Sequence, residues 1–118
     1  MVKILIVDDS ITVRAQTKKL LSAELPESEF VLASSGEEAM GLLDANVFDL
    51  CILDYNMDGI TGLDLAQEIL KRDQPSDIYL CTANAQAIIQ QKCQELGIGF
   101  MEKPIDIDRV VAPFKMGA

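Results

Sequence analysis

Five short apolar runs recur along the chain: VKILIV at 2–7, FVLAS at 30–34, LCILD at 50–54, IYLCT at 78–82 and IGFME at 98–102. Runs this short, rich in Val, Ile and Leu and lacking polar alternation, fit strands buried on both faces, as in a parallel sheet covered by helices. The segments between them carry helical periodicity. The first puts Val13, Thr17, Leu20 and Leu21 on one face and ends before Pro26. The second opens on Ser35-Gly36-Glu37-Glu38, a capping-box pattern, and turns Ala39, Met40 and Leu43 inward. The third opens at Thr61 with Asp64 three residues on, uses Leu65, Ala66, Ile69 and Leu70, and ends near Pro75. The fourth carries Ile89, Cys93 and Leu96 and stops at Gly97, which suits the residue after a helix C-terminus. The fifth, from Asp106, has Ile107, Val110 and Val111, and Pro113 predicts that it is short or irregular. Alternating strands and helices predict an α/β sandwich, a five-stranded parallel sheet flanked by five helices, forming one domain over 1–118.

A chain of 118 residues, 49% hydrophobic, is long enough to bury a core without disulfides or a structural metal. No apolar run approaches the roughly 18 residues that a membrane span needs. Met1 directly precedes the first strand with no secretory pattern, so the expected location is the cytoplasm. Cys51, Cys81 and Cys93 are odd in number, lack C-x-x-C spacing and lie in apolar patterns, which predicts buried, reduced thiols. Met40, Met57, Met101 and Met116 are scattered and read as packing. A net charge of -9 argues against nucleic-acid binding, and with no histidine that side chain is excluded as base, metal ligand or pH switch. Carboxylates, hydroxyls and lysine remain.

In an open parallel sheet the working crevice lies beyond the carboxyl ends of the strands. There the first run ends on Asp8 and Asp9, the third on Asp54 and the fourth on Thr82, while the fifth leads into Lys103-Pro104. Asp9 or Ser10 alone reads equally well as a helix cap. Asp54 and Lys103 do not, because loop rather than helix follows each.

If the first and third strands are neighbours, three carboxylates share a small space. Two like charges about 4 Å apart repel by about 4 kcal/mol at an effective dielectric near 20. One lysine cannot neutralise three acids. Oxygen ligands without histidine or an available thiolate favour a hard divalent ion such as Mg²⁺. A carboxylate nucleophile, a metal, a lysine and a hydroxyl are the parts that phosphoryl transfer to aspartate requires.

The motifs VDDS, LDYNM with the following TG, CTA and EKP, in this order at strand ends, resemble the receiver domain of bacterial two-component response regulators, including the chemotaxis type. The resemblance covers essentially the whole chain. It implies the flavodoxin-like three-layer sandwich with strand order 2-1-3-4-5, which the pattern alone does not supply. It also implies that Asp54 accepts a phosphoryl group from a sensor histidine kinase or a histidine phosphotransfer domain. Asp9 would be the direct Mg²⁺ ligand, Asp8 would act largely through water, and the Asn56 backbone carbonyl would complete the protein ligands with Asp54. Lys103 and the Thr82 hydroxyl would each hold a phosphoryl oxygen. Thr82 and Phe100 would then act as switch residues, remodelling the face of the fourth helix, fifth strand and fifth helix for a downstream protein. The implied state is a monomer or a phosphorylation-dependent dimer, without an output domain. Phe100 lacks a hydroxyl, so burial alone biases its rotamer unless it is an ordinary core aromatic.

One departure stands out. Where many relatives have Met-Pro after the phosphoacceptor, this chain has Met57-Asp58, adding negative charge to the loop. Asn56 and Asn84, two residues beyond Asp54 and Thr82, occupy positions that tune acyl-phosphate lifetime in the family. On the first helix Arg14 and Lys18 share a face, with Lys19 beside it, as a solvated surface or as a dock for an acidic kinase partner. Three other readings compete. A flavodoxin-like cofactor carrier needs a hydroxyl- and glycine-rich phosphate loop after the first strand, where Asp8 and Asp9 would repel the ligand. A Mg²⁺-dependent aspartyl phosphatase lacks its second acid, since Asn56 stands there. A phosphorylation-independent binding module leaves the full set of acids, threonine and lysine without a purpose.

Overall fold

β1 (Lys3–Val7) shows why the first apolar run has no polar alternation. Ile4 and Ile6 face one side of the sheet, Leu5 and Val7 the other, and all four are buried. The computed structural model describes residues 1–115. Its remaining elements are α1 (Ile11–Glu24), β2 (Glu29–Ala33), α2 (Gly36–Ala45), β3 (Leu50–Asp54), α3 (Gly62–Lys71), β4 (Asp77–Thr82), α4 (Ala87–Leu96), β5 (Gly99–Glu102) and α5 (Ile107–Lys115). The strands pair in parallel in the order β2-β1-β3-β4-β5. Strand boundaries shift by a residue from the apolar runs at 2–7, 30–34, 78–82 and 98–102, and coincide at 50–54.

Two cores result. On one face Leu5, Val7, Leu53 and Leu80 pack with Ala39 and Leu43 of α2, Leu65 and Ile69 of α3, and Ile89 and Cys93 of α4. On the other, Ile4, Ile6, Ile52 and Cys81 pack with Leu21 of α1 and Val110 and Val111 of α5. Each fully buried Leu or Ile contributes about 1.5–3 kcal/mol. All three cysteines are free and buried, as their apolar context predicts. Met57 and Met101 are buried and Met40 half-buried; Met116 lies outside the described residues.

Local signals set most helix ends. Thr61 and Asp64 form a complete capping box on α3, and Gly97 ends α4 in the left-handed region at φ 76°. On α2 the Ser35 hydroxyl accepts the Glu38 N–H, but Glu38 reaches past the cap to the Ser34 N–H, so the reciprocal box expected there is displaced by one residue. Two expectations fail. Leu20 and Leu70 are 44% and 41% exposed rather than inward, because each lies at the margin of its helix's apolar stripe. The last helix is short as expected, with 9 described residues, but Pro113 lies inside it: α5 continues to Lys115, where Phe114 packs beside Val110 and Val111 on the second core. That packing outweighs the lost helical hydrogen bond.

Register positions the polar strand ends. Val7 pairs with Leu53, so the next residues, Asp8 and Asp54, leave the sheet side by side. β1 is flanked by β2 and β3, which makes this the point where strand order reverses. α3 starts directly on the backbone of β3: a Cβ on Gly62 would lie 2.3 Å from the Asp54 carbonyl oxygen.

Candidate functional site

Asp8 and Asp54 are 4% and 3% exposed, whereas Asp9 faces solvent. One carboxylate oxygen from each of the three lies within 4.8 Å of the others. Asp8 spans two partners: Oδ1 accepts the Ser10 N–H at 2.9 Å and Oδ2 accepts the Lys103 ammonium at 2.8 Å. Ser10 in turn is the N-cap of α1, accepting the Val13 N–H at 3.2 Å. The cap role open to Asp9 or Ser10 therefore falls to Ser10, and Asp9 is left facing the site.

Lys103 reaches the acids from the far side of β4. Its N–H donates to the Thr82 carbonyl at 2.8 Å, extending the β4–β5 ladder by one residue, and its Nζ stands 3.2 Å from Asp54 Oδ1. Asp54 Oδ1 also accepts the Asn56 N–H at 3.2 Å. Burial, and then the charge of Asp8, push the Asp54 carboxyl above its usual range, only partly offset by Lys103 and the Asn56 N–H. For Lys103 burial acts downward, but the hydrogen bond it donates to Asp8 and the charges of Asp54 and Asp8 outweigh it, and the pKa rises. A single ammonium therefore leaves the acids short of positive charge. The donor set fits a hard divalent cation: three carboxylates converge without sulfur or imidazole, and one of them opens to solvent.

Thr82 is buried, and its hydroxyl accepts the Asn56 side-chain amide at 2.9 Å and the Asn84 N–H at 3.2 Å. The first bond joins Thr82 to the loop after Asp54 and the second to the loop after its own strand; neither reaches the carboxylate itself. Phe100 lies on β5 opposite Leu80, partly buried against the first core, outside the acid cluster. Its carbonyl accepts the Arg109 guanidinium at 3.2 Å. Cys81, beside Asp54 in the ladder, has its thiol pushed up to about 12 by burial, so it remains a neutral packing group.

Residues invisible to motif reading also shape the site. The Arg14 guanidinium turns back to donate to the Asp8 carbonyl, so it braces the loop after β1 while Lys18 and Lys19 remain exposed. Arg14 keeps its i, i+4 position beside Lys18 on α1, but its guanidinium is engaged by the backbone of the loop after β1. A cavity of about 350 Å³ next to Asp8, Asp54 and Lys103 is walled by Val13, Thr17 and Leu20 of α1 and by Pro104 and Ile105. Only the long-range approach of α1 to the loop after β5 creates it, so no local pattern announces it.

A family model described as the response regulator receiver domain matches residues 4–115. The chemotaxis protein CheY of Listeria monocytogenes is 28% identical over 122 residues, the match covering 100% of this chain and 99% of that protein. The positive alginate biosynthesis regulatory protein of Pseudomonas aeruginosa is 32% identical over 105 residues, covering 86% of this chain but only 41% of that protein. Among solved structures, the response regulator TrrA of Thermotoga maritima in complex with Mg²⁺–BeF has a TM-score of 0.81 at 32% identity, covering 98% of this chain and 97% of that one. Vibrio cholerae CheY4 has the same TM-score at 25% identity, covering the same shares of the two chains. With acids, threonine and lysine gathered at one sheet edge and this match along nearly its whole length, the chain belongs to the response regulator receiver family of two-component signalling.

Proposed function

We propose that residues 1–118 form a receiver unit in which Asp54 accepts a phosphoryl group from a phosphohistidine on a sensor kinase or phosphotransfer domain. A carboxylate oxygen of Asp54 attacks phosphorus, a P–O bond forms, the P–N bond breaks, and the electron pair stays on the imidazole nitrogen. The observation that carries this reading is the buried Asp54 carboxylate held 3.2 Å from Lys103 inside a cluster of three acids. A bound Mg²⁺ would supply neutralisation of the phosphoryl oxygens and of the clustered carboxylates.

The placement of this chain's own residues supports the following roles. Asp9, exposed and convergent, would be the direct cation ligand; Asp8, committed to Ser10 and Lys103, would act through water; Asp54 and the Asn56 carbonyl would complete the set. Lys103 holds one phosphoryl oxygen. Thr82 leaves its bonds with Asn56 and Asn84 to hold another, and Phe100 moves with it, changing the face of α4, β5 and α5 for a downstream protein. Like its family, the chain is a phosphoacceptor and not a conventional enzyme.

A small-molecule phosphodonor with Mg²⁺ is expected to add one acid-stable, hydroxylamine-labile phosphoryl group, which Asp54→Asn abolishes. Full labelling of the variant at another residue would sink the assignment. Affinity capture comparing the untreated protein with a beryllofluoride-treated form identifies the output partner.

A further inference from the structure

We propose that Glu37, at the start of α2, is a positioning residue for the cation site, holding the β3–α3 loop in the shape that sets Asn56 beside Asp54. The inference rests on the receiver reading of that site but concerns a residue outside it. The loop, 55–61, carries Asn56, whose N–H bonds Asp54 and whose side chain bonds Thr82. Its own sequence gives it little stiffness. Met57-Asp58-Gly59 has no proline, and Gly59 sits at φ 76°, a conformation open to glycine at no steric cost.

The support comes from α2 instead. Glu37 Oε1 accepts the Ile60 N–H at 3.1 Å. Among the described residues this is the one hydrogen bond from another element to the backbone of 57–60. A Cβ on Gly59 would lie 3.0 Å from each Glu37 carboxylate oxygen, so the carboxylate is seated against the turn itself. One residue earlier, a Cβ on Gly36 would lie 2.6 Å from the Ile60 carbonyl oxygen and 2.7 Å from its Cβ. The start of the helix and the loop therefore touch through the backbone, and only glycine permits the approach.

The far end of the loop is anchored separately. Thr61 and Asp64 cap α3, and Gly62 lies on the Asp54 carbonyl. Between that anchor and Asn56, Met57 and Ile60 pack their side chains on the first core, and Glu37 supplies the hydrogen bond that fixes the backbone of the turn. The residue supplies from α2 the restraint that a proline at position 58 would have built into the loop. It acts through a hydrogen bond and reach rather than through charge, which a cation site already rich in acids does not need from it.

Three variants test this: Glu37→Ala, Glu37→Gln and Glu37→Asp. Each unphosphorylated protein is titrated with Mg²⁺ and followed by amide NMR, with hydrogen exchange at Ile60 and a thermal unfolding midpoint as separate readouts. Glu37→Ala is expected to weaken Mg²⁺ about tenfold, the low end of the loss when an outer support is removed from a metal site. Glu37→Gln, which keeps acceptor and length, is expected to bind as wild type with Ile60 still protected. Glu37→Asp, which keeps the charge but is one methylene short, is expected to behave as Glu37→Ala. In phosphorylation with acetyl phosphate the half-saturating Mg²⁺ concentration should rise by the same factor, with the rate at saturating Mg²⁺ unchanged. Wild-type Mg²⁺ affinity in Glu37→Ala overturns the proposal, as does equal loss in Glu37→Gln and Glu37→Ala. If the wild type takes no phosphoryl group at Asp54, the receiver reading fails, and the Mg²⁺ titration still judges Glu37 on its own.

Discussion

Lys103 and Asp54 meet across an intervening strand: the ammonium leaving β5 stands 3.2 Å from the carboxylate that ends β3. The same Nζ is 2.8 Å from Asp8, so one cation balances two buried acids. Lys103→Met is expected to cost about 3 kcal/mol, because removing one partner of a buried ion cluster leaves uncompensated charge behind. Adding Asp54→Asn to that variant should recover part of the loss. Urea denaturation of both single variants and the double gives the coupling; strictly additive effects would show that the two residues do not interact.

The metal-free protein should show a pH dependence traceable to Asp54. Burial and the Asp8 charge raise its pKa above the ordinary value of 3.8, so the folded chain holds this proton more tightly than the unfolded chain. Through the window that opens there and extends upward, the folded state binds more protons, and its stability falls as pH rises. Lys103 does not obscure this. Its own pKa is raised from 10.5, so its contribution is complete throughout the acid range and is lost only above that value. Asp54→Asn removes the titration. The variant is expected to exceed wild type in thermal stability at neutral pH, in chelator, with the advantage vanishing on acidification; a constant or growing advantage in acid contradicts the assignment.

Asp9 separates the metal contribution from the fold. It is exposed and converges on two buried acids, so in chelator Asp9→Asn relieves repulsion and should match or exceed wild type in stability. With Mg²⁺ the order reverses. A cation that binds only the folded wild type adds about 2.7 kcal/mol at a hundredfold excess over its Kd, and Asp9→Asn should lose most of that gain. Scanning fluorimetry with and without Mg²⁺ reads both effects; a full Mg²⁺ shift in the variant excludes Asp9 as a direct ligand.

Two glycine substitutions should move stability in opposite directions. A Cβ on Gly62 meets the Asp54 carbonyl at 2.3 Å and Leu80 Cδ1 at 2.7 Å, and the carbonyl is backbone that cannot swing away. Gly62→Ala should cost about 1–3 kcal/mol by overpacking, and it should slow phosphorylation of the displaced Asp54. Gly41 lies within α2 with nothing inside 4 Å of an added Cβ. Gly41→Ala should gain about 0.5–1 kcal/mol by stiffening the unfolded chain. Denaturant midpoints of the pair provide the comparison.

Asp8, Asp9, Asp54, Thr82 and Lys103 were legible in the sequence because each ends or follows an apolar run, and runs in a parallel sheet end at a common edge. Leu20 and Leu70 misled because helical periodicity identifies a stripe without showing how wide a neighbour covers it. Pro113 rightly signalled a short last helix but not its own place inside it, which the packing of Val110, Val111 and Phe114 decides. Arg14 and Glu37 were legible only as part of a basic helix face and of a capping pattern, not as supports of the site. Their partners are backbone groups, the Asp8 carbonyl and the Ile60 N–H, and backbone leaves no trace in the identity of the residue that carries it.

The chain's own order of residues was enough to specify alternating strands and helices, buried thiols and a set of acids, hydroxyl and lysine at strand ends, because burial and capping act over a few neighbouring positions. Tertiary structure alone decided that Val7 pairs with Leu53, which sets Asp8 beside Asp54, that Lys103 crosses β4 to reach both, and that α2 braces the loop after Asp54. Those relationships depend on strand order and register, which arise when separate segments pack together and which no single segment encodes.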